Sequence, residues 1–347
     1  MRVLVYFGHP SQYLFLRETI KQLLSDKNEV KILIKSKDVL ETLVRSDNLD
    51  YINIQDTVRG NNKFSIIKSL IKRNISLYKI TTAFKPDIMV GTDASIAHIG
   101  FLKKIKRVTI LEDDYDVIKG LAILTYPFTN AIICPNVCDV GRWKHKKIGY
   151  NGYMKLGYLH PKYFTKNFNQ ISQYDLNSKY VLLRLSNLKA HHDTGIGGIS
   201  DKFLKSIISI ILLKGYKVKI SSERDLDQSL HKYFLKIDPV DMHQVLVHSS
   251  LLISDSQSMS VEASVLGVPS VRVSDFHEKI SVLQELENNY QLTYSYKPID
   301  TNAIENKIEE LLSSPNILEK FQVKRKKMLK EKIDVTHFMV NYLSQSS

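Results

Sequence analysis

The stretch LLISDSQSMSVEASVLGVPSVRV, residues 251–273, sets Asp255, Ser256, Ser258 and Glu262 between two apolar runs. Hydroxyls and an acid directly after a strand-like run are N-cap and first-turn residues of a helix. Such a helix start offers unpaired N–H groups and the positive end of a dipole, which together suit a phosphate. Small side chains at Ser256 and Ser258 let a diphosphate approach the backbone, and Met259 follows in the same turn. Glu262 falls about one turn inside the helix, where a carboxylate can accept hydrogen bonds from a pair of ribose hydroxyls. Gly267 suits a left-handed C-cap and Pro269 prevents the helix from continuing.

Polar clusters recur at other strand-like ends. Gly8, His9 and Pro10 follow RVLVYF; Thr92, Asp93 and Ser95 follow DIMVG; Glu112, Asp113, Asp114 and Asp116 follow RVTIL. In the second half Arg184 ends YVLLR, while Ser221, Ser222, Glu223 and Arg224 end KVKI. Taken singly, each cluster is ordinary cap and turn chemistry. Their joint position at strand ends is what points to a site.

The elements that must position these residues alternate. In the first half, short β-branched runs (RVLVYF, EVKILI, YINI, DIMVG, RVTILE, NAIICP) are separated by segments with apolar residues at helical spacing. The longest, KFSIIKSLIKRNISLYKITTAF, stops before Lys85-Pro86. The rhythm breaks over residues 136–178, which are rich in Tyr, Gly, Lys and Asn and read as an interdomain connection. It resumes at KYVLLRLS, and three helices close the chain. This predicts an α/β protein of two Rossmann-like, doubly wound domains with parallel sheets, facing an interdomain cleft. The expected domains are residues 1–160 and 175–330, with a C-terminal helix over 331–347 packing back on the first. Neither half carries G-x-G-x-x-G or G-x-x-x-x-G-K-[ST], which disfavours dinucleotide and P-loop binding.

Composition narrows the function classes. A chain of 347 residues, 43% hydrophobic, suits about two soluble domains. No apolar run approaches the roughly 18 residues that would span a bilayer, and MRVLVYFGHP reads as a first strand rather than a signal peptide. A cytoplasmic location is the expectation. Cys134 and Cys138 lack redox or zinc spacing and read as reduced thiols. The eleven histidines show no metal-ligating pattern, so no metal is expected. A net charge of +13 suits nucleic acid, an anionic membrane surface or phosphorylated small molecules. Without aromatic-interleaved RNA-binding signatures, nucleic acid is set aside.

Four stretches carry a family likeness: GHPSQYLFLRETIKQL, GYLHPKYFT, LLRLSNLKAHHDTGIGGIS with ISSE, and SDSQSMSVEASVLGVPSVRV. With KIDVTHFMVNYL near the end, they resemble a GT-B-like group catalogued as domain of unknown function 354. That group is related to glycosyltransferases and non-hydrolysing UDP-N-acetylglucosamine 2-epimerases. The chain departs from the pattern at Gln257-Ser258-Met259, at Ser11-Gln12 and at Leu111 to Asp114, so its nucleotide side matches better than its reactive side.

The likeness implies a nucleotide-diphosphate sugar as substrate, with no separate cofactor. The second domain holds the nucleotide, with Arg184 a fork donor to phosphate. His192 and Asp193, in a polar loop with Lys189 and His191, join Ser222, Glu223, Asp255, Ser256, Ser258, Met259 and Glu262 as candidate contacts. Charged donors there would stabilise the leaving diphosphate in place of a metal. On the reactive side His9 is the first candidate base, since imidazole titrates near neutrality. Asp93 and Glu112 are the alternatives. The expected function is a glycosyltransferase of surface polysaccharide or glycolipid synthesis, with a lipid-linked or glycan acceptor and peripheral contact with the anionic inner membrane face. A nucleotide-sugar 2-epimerase and a non-catalytic nucleotide-sugar binder remain as alternatives. The epimerase is weakened by GHPSQ, which stands where a Gly-Thr-Arg-Pro-Glu start belongs. Oligomeric state is not set by the sequence.

Overall fold

The computed structural model describes residues 1–35, 39–55, 63–187, 198–276 and 278–345. The chain forms two compact units, residues 1–163 with 333–347, and residues 164–332.

In the first unit the elements run β1 (Arg2–Phe7), α1 (Pro10–Ser25), β2 (Glu29–Lys35), α2 (Leu40–Ser46), β3 (Tyr51–Gln55), α3 (Lys63–Phe84) and β4 (Ile88–Gly91). They continue with α4 (Ala94–Leu102), β5 (Lys106–Ile110), α5 (Lys119–Thr125), β6 (Ala131–Pro135), β7 (Lys147–Tyr150) and α6 (Leu156–Leu159). All seven strands are parallel, in the order β3-β2-β1-β4-β5-β6-β7. Val3 to Phe7 and Ile88 to Val90 are almost wholly buried. That accounts for their unbroken apolar runs, because a parallel sheet covered on both faces gives no reason to alternate. The strand order reverses between β1 and β4, and the crevice outside strand ends at such a reversal is where ligands bind in this architecture.

The second unit comprises β8 (Tyr180–Leu185), α7 (Asp201–Leu213), β9 (Lys217–Ser222), α8 (Met242–His248), β10 (Leu251–Ser254), α9 (Gln257–Leu266), β11 (Ser270–Val273), α10 (Ser281–Asn288), β12 (Tyr294–Tyr296), α11 (Thr301–Ser313) and α12 (Ile317–Glu331). Its strands are also parallel, ordered β12-β11-β10-β8-β9, and the reversal lies between β8 and β10. Helix α9 is buried from Met259 to Leu266. Its hydroxyls are satisfied locally, Ser260 Oγ donating to Ser256 O and Ser264 Oγ to Ser260 O. Gly267 closes it at φ 71°, and Gln322 Nε2 from α12 donates to the freed carbonyls of Leu266 and Gly267. A Cβ at Gly267 would stand 2.6 Å from that nitrogen, so a larger residue there would break the cap from two directions.

The last helix, α13 (Val335–Ser344), packs on α1 and α6 of the first unit. Asp334 caps it by accepting from His337 N–H, and also accepts from Tyr163 Oη. Thr336 Oγ1 donates to Gly157 O at 2.9 Å.

The stretch 136–178, expected as a connection, is mostly domain. Residues Lys147–Tyr150 are an edge strand of the first sheet, held by Ile132↔Lys147 through Pro135↔Tyr150. Its sequence, KIGY, carries no strand signature because the pairing is set by its neighbour: a Cβ at Gly149 would collide with Asn136. Residues 164–174 belong to the second unit. Asn167 N–H donates to Gln244 Oε1, and Asp241 collects hydrogen bonds from Gln170, Gln173 and Tyr174, each at 2.9 Å.

Cys134 and Cys138 are both buried. Burial pushes the Cys134 thiol up to about 11 and that of Cys138 well above its ordinary value. Because the thiolate is the reacting species, both cysteines should resist iodoacetamide at neutral pH until the protein is unfolded in urea. Mass spectrometry of the native adducts checks this, and a labelled Cys138 would show that the β6–β7 edge opens.

Candidate functional site

The C-terminal edge of the second sheet gathers most of the residues singled out above. Ser254 ends β10 beside Arg184 of β8, and its hydroxyl donates to Arg184 O at 2.7 Å while accepting from Ser256 N–H at 2.9 Å. Asp255, 4% exposed, turns toward the end of β8: its Oδ1 accepts from Ser186 N–H at 2.7 Å and Ser186 Oγ at 2.8 Å. This carboxylate therefore clasps the two strands that flank the reversal. Burial raises its pKa, with the Ser186 hydrogen bonds opposing.

Ser256 is the N-cap of α9 and accepts from Met259 N–H at 3.4 Å. With that donor satisfied, the N–H groups of Gln257 and Ser258 begin the helix without intrahelical acceptors. Ser258 is partly exposed, whereas the Met259 side chain is 8% exposed and belongs to the core. Glu262 is 5% exposed, and its Oε2 lies 3.5 Å from Nε2 of His243 in α8. The His243 ring stands edge-on to Phe164. Glu262 is thus an interior carboxylate with an imidazole partner, one turn from the helix start.

Arg184 is committed on one side of this edge. Its Nη2 is bonded to Glu223, and its Nη1 donates to Ser221 Oγ at 3.0 Å. Glu223 also accepts from Asn187 N–H, so it ties the ends of β8 and β9 together. Ser222 Oγ organises the turn with Arg224, accepting from its N–H and donating to its carbonyl. His192 and Asp193, with Lys189 and His191, lie outside the described residues.

Two arginines at this edge each keep one buried nitrogen without a hydrogen-bond partner. Arg224 reaches Asp201 Oδ1 at 3.2 Å and Ile199 O, yet its Nε is buried without a partner. Arg272, within β11 and 1% exposed, donates to Ser295 Oγ and Phe276 O while its Nη1 is buried without a partner. Burial lowers its pKa to about 10. Among the described residues of this unit, the buried side-chain polar atoms lacking a hydrogen bond are Arg224 Nε, Asp255 Oδ2 and Arg272 Nη1. All three lie on this one edge, although buried polar groups are nearly always paired.

The first unit places its three candidates on neighbouring strand ends, after β1, β4 and β5. His9 is exposed and caps α1, its Nδ1 accepting from Ser11 N–H at 3.2 Å and lying 2.7 Å from Ser11 Oγ. Asp93 caps α4 through Ser95 N–H at 2.9 Å and pairs with Arg73 of α3 at 3.4 Å. Arg73 is 5% exposed and also donates to Gln55 Oε1 and Ser69 Oγ. Glu112 accepts from Met154 N–H at 2.6 Å and from Lys155 Nζ at 2.9 Å, and Lys155 is itself buried. His9 and Asp93 flank the β1/β4 reversal, with Glu112 one strand beyond. Both carboxylates carry structural duties that leave the His9 imidazole as the exposed acid–base group of the three.

His243, Arg272, Arg73 and Lys155 escaped the sequence reading. A charged residue inside the strand-like PSVRVS was the available sign for Arg272. Nothing local distinguished His243, Arg73 or Lys155, whose partners lie 19, 20 and 43 residues away.

No family model matches the chain, and no curated protein does. Solved structures overlay it along nearly its whole length. The UDP-GlcNAc 2-epimerase from Neisseria meningitidis bound to UDP-GlcNAc is 17% identical, with a TM-score of 0.74 over 99% of this chain and 100% of that one. The UDP-GlcNAc 2-epimerase from Methanocaldococcus jannaschii is 16% identical, with a TM-score of 0.66 over 90% and 93%. The spinosyn rhamnosyltransferase SpnG, complexed with spinosyn aglycone, is 12% identical, with a TM-score of 0.63 over 99% and 100%. At these identities the likeness is one of fold: an α/β protein of the GT-B type, with two Rossmann-like domains, as the sequence implied.

Proposed function

We propose that the chain is an enzyme acting on a nucleotide-diphosphate sugar, and that its reaction is glycosyl transfer. The observation that carries this reading is the C-terminal edge of the second sheet, where α9 begins and where Arg224, Asp255 and Arg272 each keep one buried atom without a hydrogen bond. An edge with unspent hydrogen-bonding capacity next to a helix N-terminus suits a charged, oxygen-rich ligand. The diphosphate would meet the N–H groups of Gln257 and Ser258, and Glu262 would accept from the ribose hydroxyls. In transfer, an acceptor hydroxyl oxygen bonds to the anomeric carbon, and the bond from that carbon to the phosphate oxygen breaks. The electron pair leaves with the diphosphate, stabilised by these donors without a metal. The acceptor's proton passes to a base, for which His9 is the candidate. The chain is read as a member of the GT-B-like group catalogued as domain of unknown function 354, working on a lipid-linked or glycan acceptor at the cytoplasmic side of a membrane.

The near full-length overlay on the meningococcal epimerase favours a second reading, 2-epimerisation. That reaction removes and returns a proton at the sugar's second carbon and needs two acid–base groups. The ion pairs holding Asp93 and Glu112 weigh toward transfer. Incubating the protein with a panel of nucleotide sugars, with and without EDTA, and following products by NMR tests both. Slow sugar release, or transfer once a glycolipid acceptor is added, unaffected by EDTA, is the expected result. Interconversion without acceptor would establish the epimerase, and binding without turnover would refute enzymatic function.

A further inference from the structure

Helix α3 has three faces. Arg73, Leu77 and Thr81 are buried against the first sheet's core, while Ile67, Ile71, Ile75 and Tyr78 are exposed. At about 100° per residue these four fall within an arc of roughly 80°, and Lys68, Lys72 and Lys79 line the adjoining arc. Ile71 and Ile75 are 53% and 54% exposed, an unusual state for isoleucines of one helical stripe.

The apolar surface continues beyond α3. Lys103 Nζ lies 4.3 Å from the centre of the Tyr78 ring, and the exposed Leu102 at the end of α4 lines a groove with that tyrosine. The adjacent Phe101, also exposed, packs edge-on to Phe128, beyond the exposed Ile123 and Leu124 of α5. A groove between the ends of α3 and α4 is lined by Tyr78, Thr82, Leu102 and two lysines, Lys85 and Lys103.

Charge decides what fits this face. Over residues 63–106 the carboxylates are Asp87 and Asp93 alone; Asp93 pairs with Arg73, and Asp87 accepts from Arg2 N–H. Helix α3 has no acidic residue in its 22 positions. A second copy packing its α3 antiparallel to this one about a two-fold axis would set lysines against lysines. An anionic lipid surface answers both properties, since apolar side chains enter the headgroup boundary while the flanking lysines meet phosphates.

We propose that the face formed by α3 and the ends of α4 and α5 seats the protein on an anionic bilayer surface. The inference deepens the membrane placement of the proposed function but does not depend on nucleotide binding, because none of the exposed residues of this face is a nucleotide contact. No helix among the described residues is long and apolar enough to cross a membrane.

Co-sedimentation of the full chain with vesicles of phosphatidylcholine, alone or mixed with phosphatidylglycerol, tests it. The protein should partition at least about tenfold more strongly onto the mixed vesicles and be released as salt rises. Pairing Ile71→Glu with Ile75→Glu should lower that partition by about tenfold or more, and Lys68→Glu with Lys72→Glu should abolish the preference for phosphatidylglycerol. All four positions are exposed, so circular dichroism and melting should be unchanged. Absence of wild-type binding or equal partition onto both vesicles overturns the proposal. So does a wild-type dimer that Ile71→Glu dissociates, which would make this face a contact between copies.

Discussion

Replacing Asp93 with alanine lowers stability by about 3 kcal/mol, because it strands the Arg73 guanidinium in the interior of the first unit. Arg73 is 5% exposed, and besides Asp93 it donates to the neutral Gln55 Oε1 and Ser69 Oγ. The figure is set at the low end for a broken buried pair because the Asp93 side chain keeps 22% exposure and water screens part of the charge. Loss of the cap on Ser95 N–H adds about 1 kcal/mol. Urea unfolding measures the change. Asp93→Asn, which retains an oxygen for the cap, should lose less, and Arg73→Met in the alanine background should recover most of the loss. If Asp93→Ala unfolds at the wild-type urea midpoint while activity disappears, Asp93 acts on substrate and the structural assignment is wrong.

The second large effect is expected at Glu262. Glu262→Gln keeps the volume and removes the charge, so under the proposed ribose role the hydrogen bonds from two ribose hydroxyls would lose their charge assistance. Such bonds contribute about 1.5–3 kcal/mol, and affinity for the nucleoside diphosphate should fall about tenfold to a hundredfold. Calorimetric titration of the best-bound nucleoside diphosphate against both proteins measures this, with thermal unfolding run in parallel. Glu262 is also 3.5 Å from His243, which gives it a competing role in packing α9 against α8. The two roles separate cleanly: lower stability with unchanged affinity makes the pair structural, whereas weaker affinity with little change in melting places the carboxylate on the nucleotide. His243→Asn, which removes the partner and leaves the acid, should change stability more than affinity.

Much of this was legible before the structure. The central strands announced themselves as short apolar runs, because both faces of a parallel sheet are covered. The helix starts at Ser256 and Asp93 were readable because capping is local: the acceptor and the N–H it satisfies lie two or three residues apart. The left-handed close at Gly267 belongs to the same class, since only glycine takes φ 71° without steric cost. Edge strand β7 was not legible, since its place depends on Asn136 and on the side of β6, neither encoded in KIGY. The second unit's start was misplaced for a similar reason, with Asp241 gathering Gln170, Gln173 and Tyr174 from about 70 residues upstream.

By itself, then, the sequence determined the α/β class, the strand ends where polar groups collect and the capped helix start at Ser256, all consequences of short-range geometry. Only the tertiary structure decided which polar groups are already engaged. It bound Asp93 to Arg73, Glu112 to Lys155 and Arg184 to Glu223. It also left Arg224, Asp255 and Arg272 with atoms unspent on one edge. The reason is physical: a charge's partner is set by proximity in space, and the energy of the pair by how much water the fold excludes around it, and neither quantity is a property of neighbouring residues in the chain.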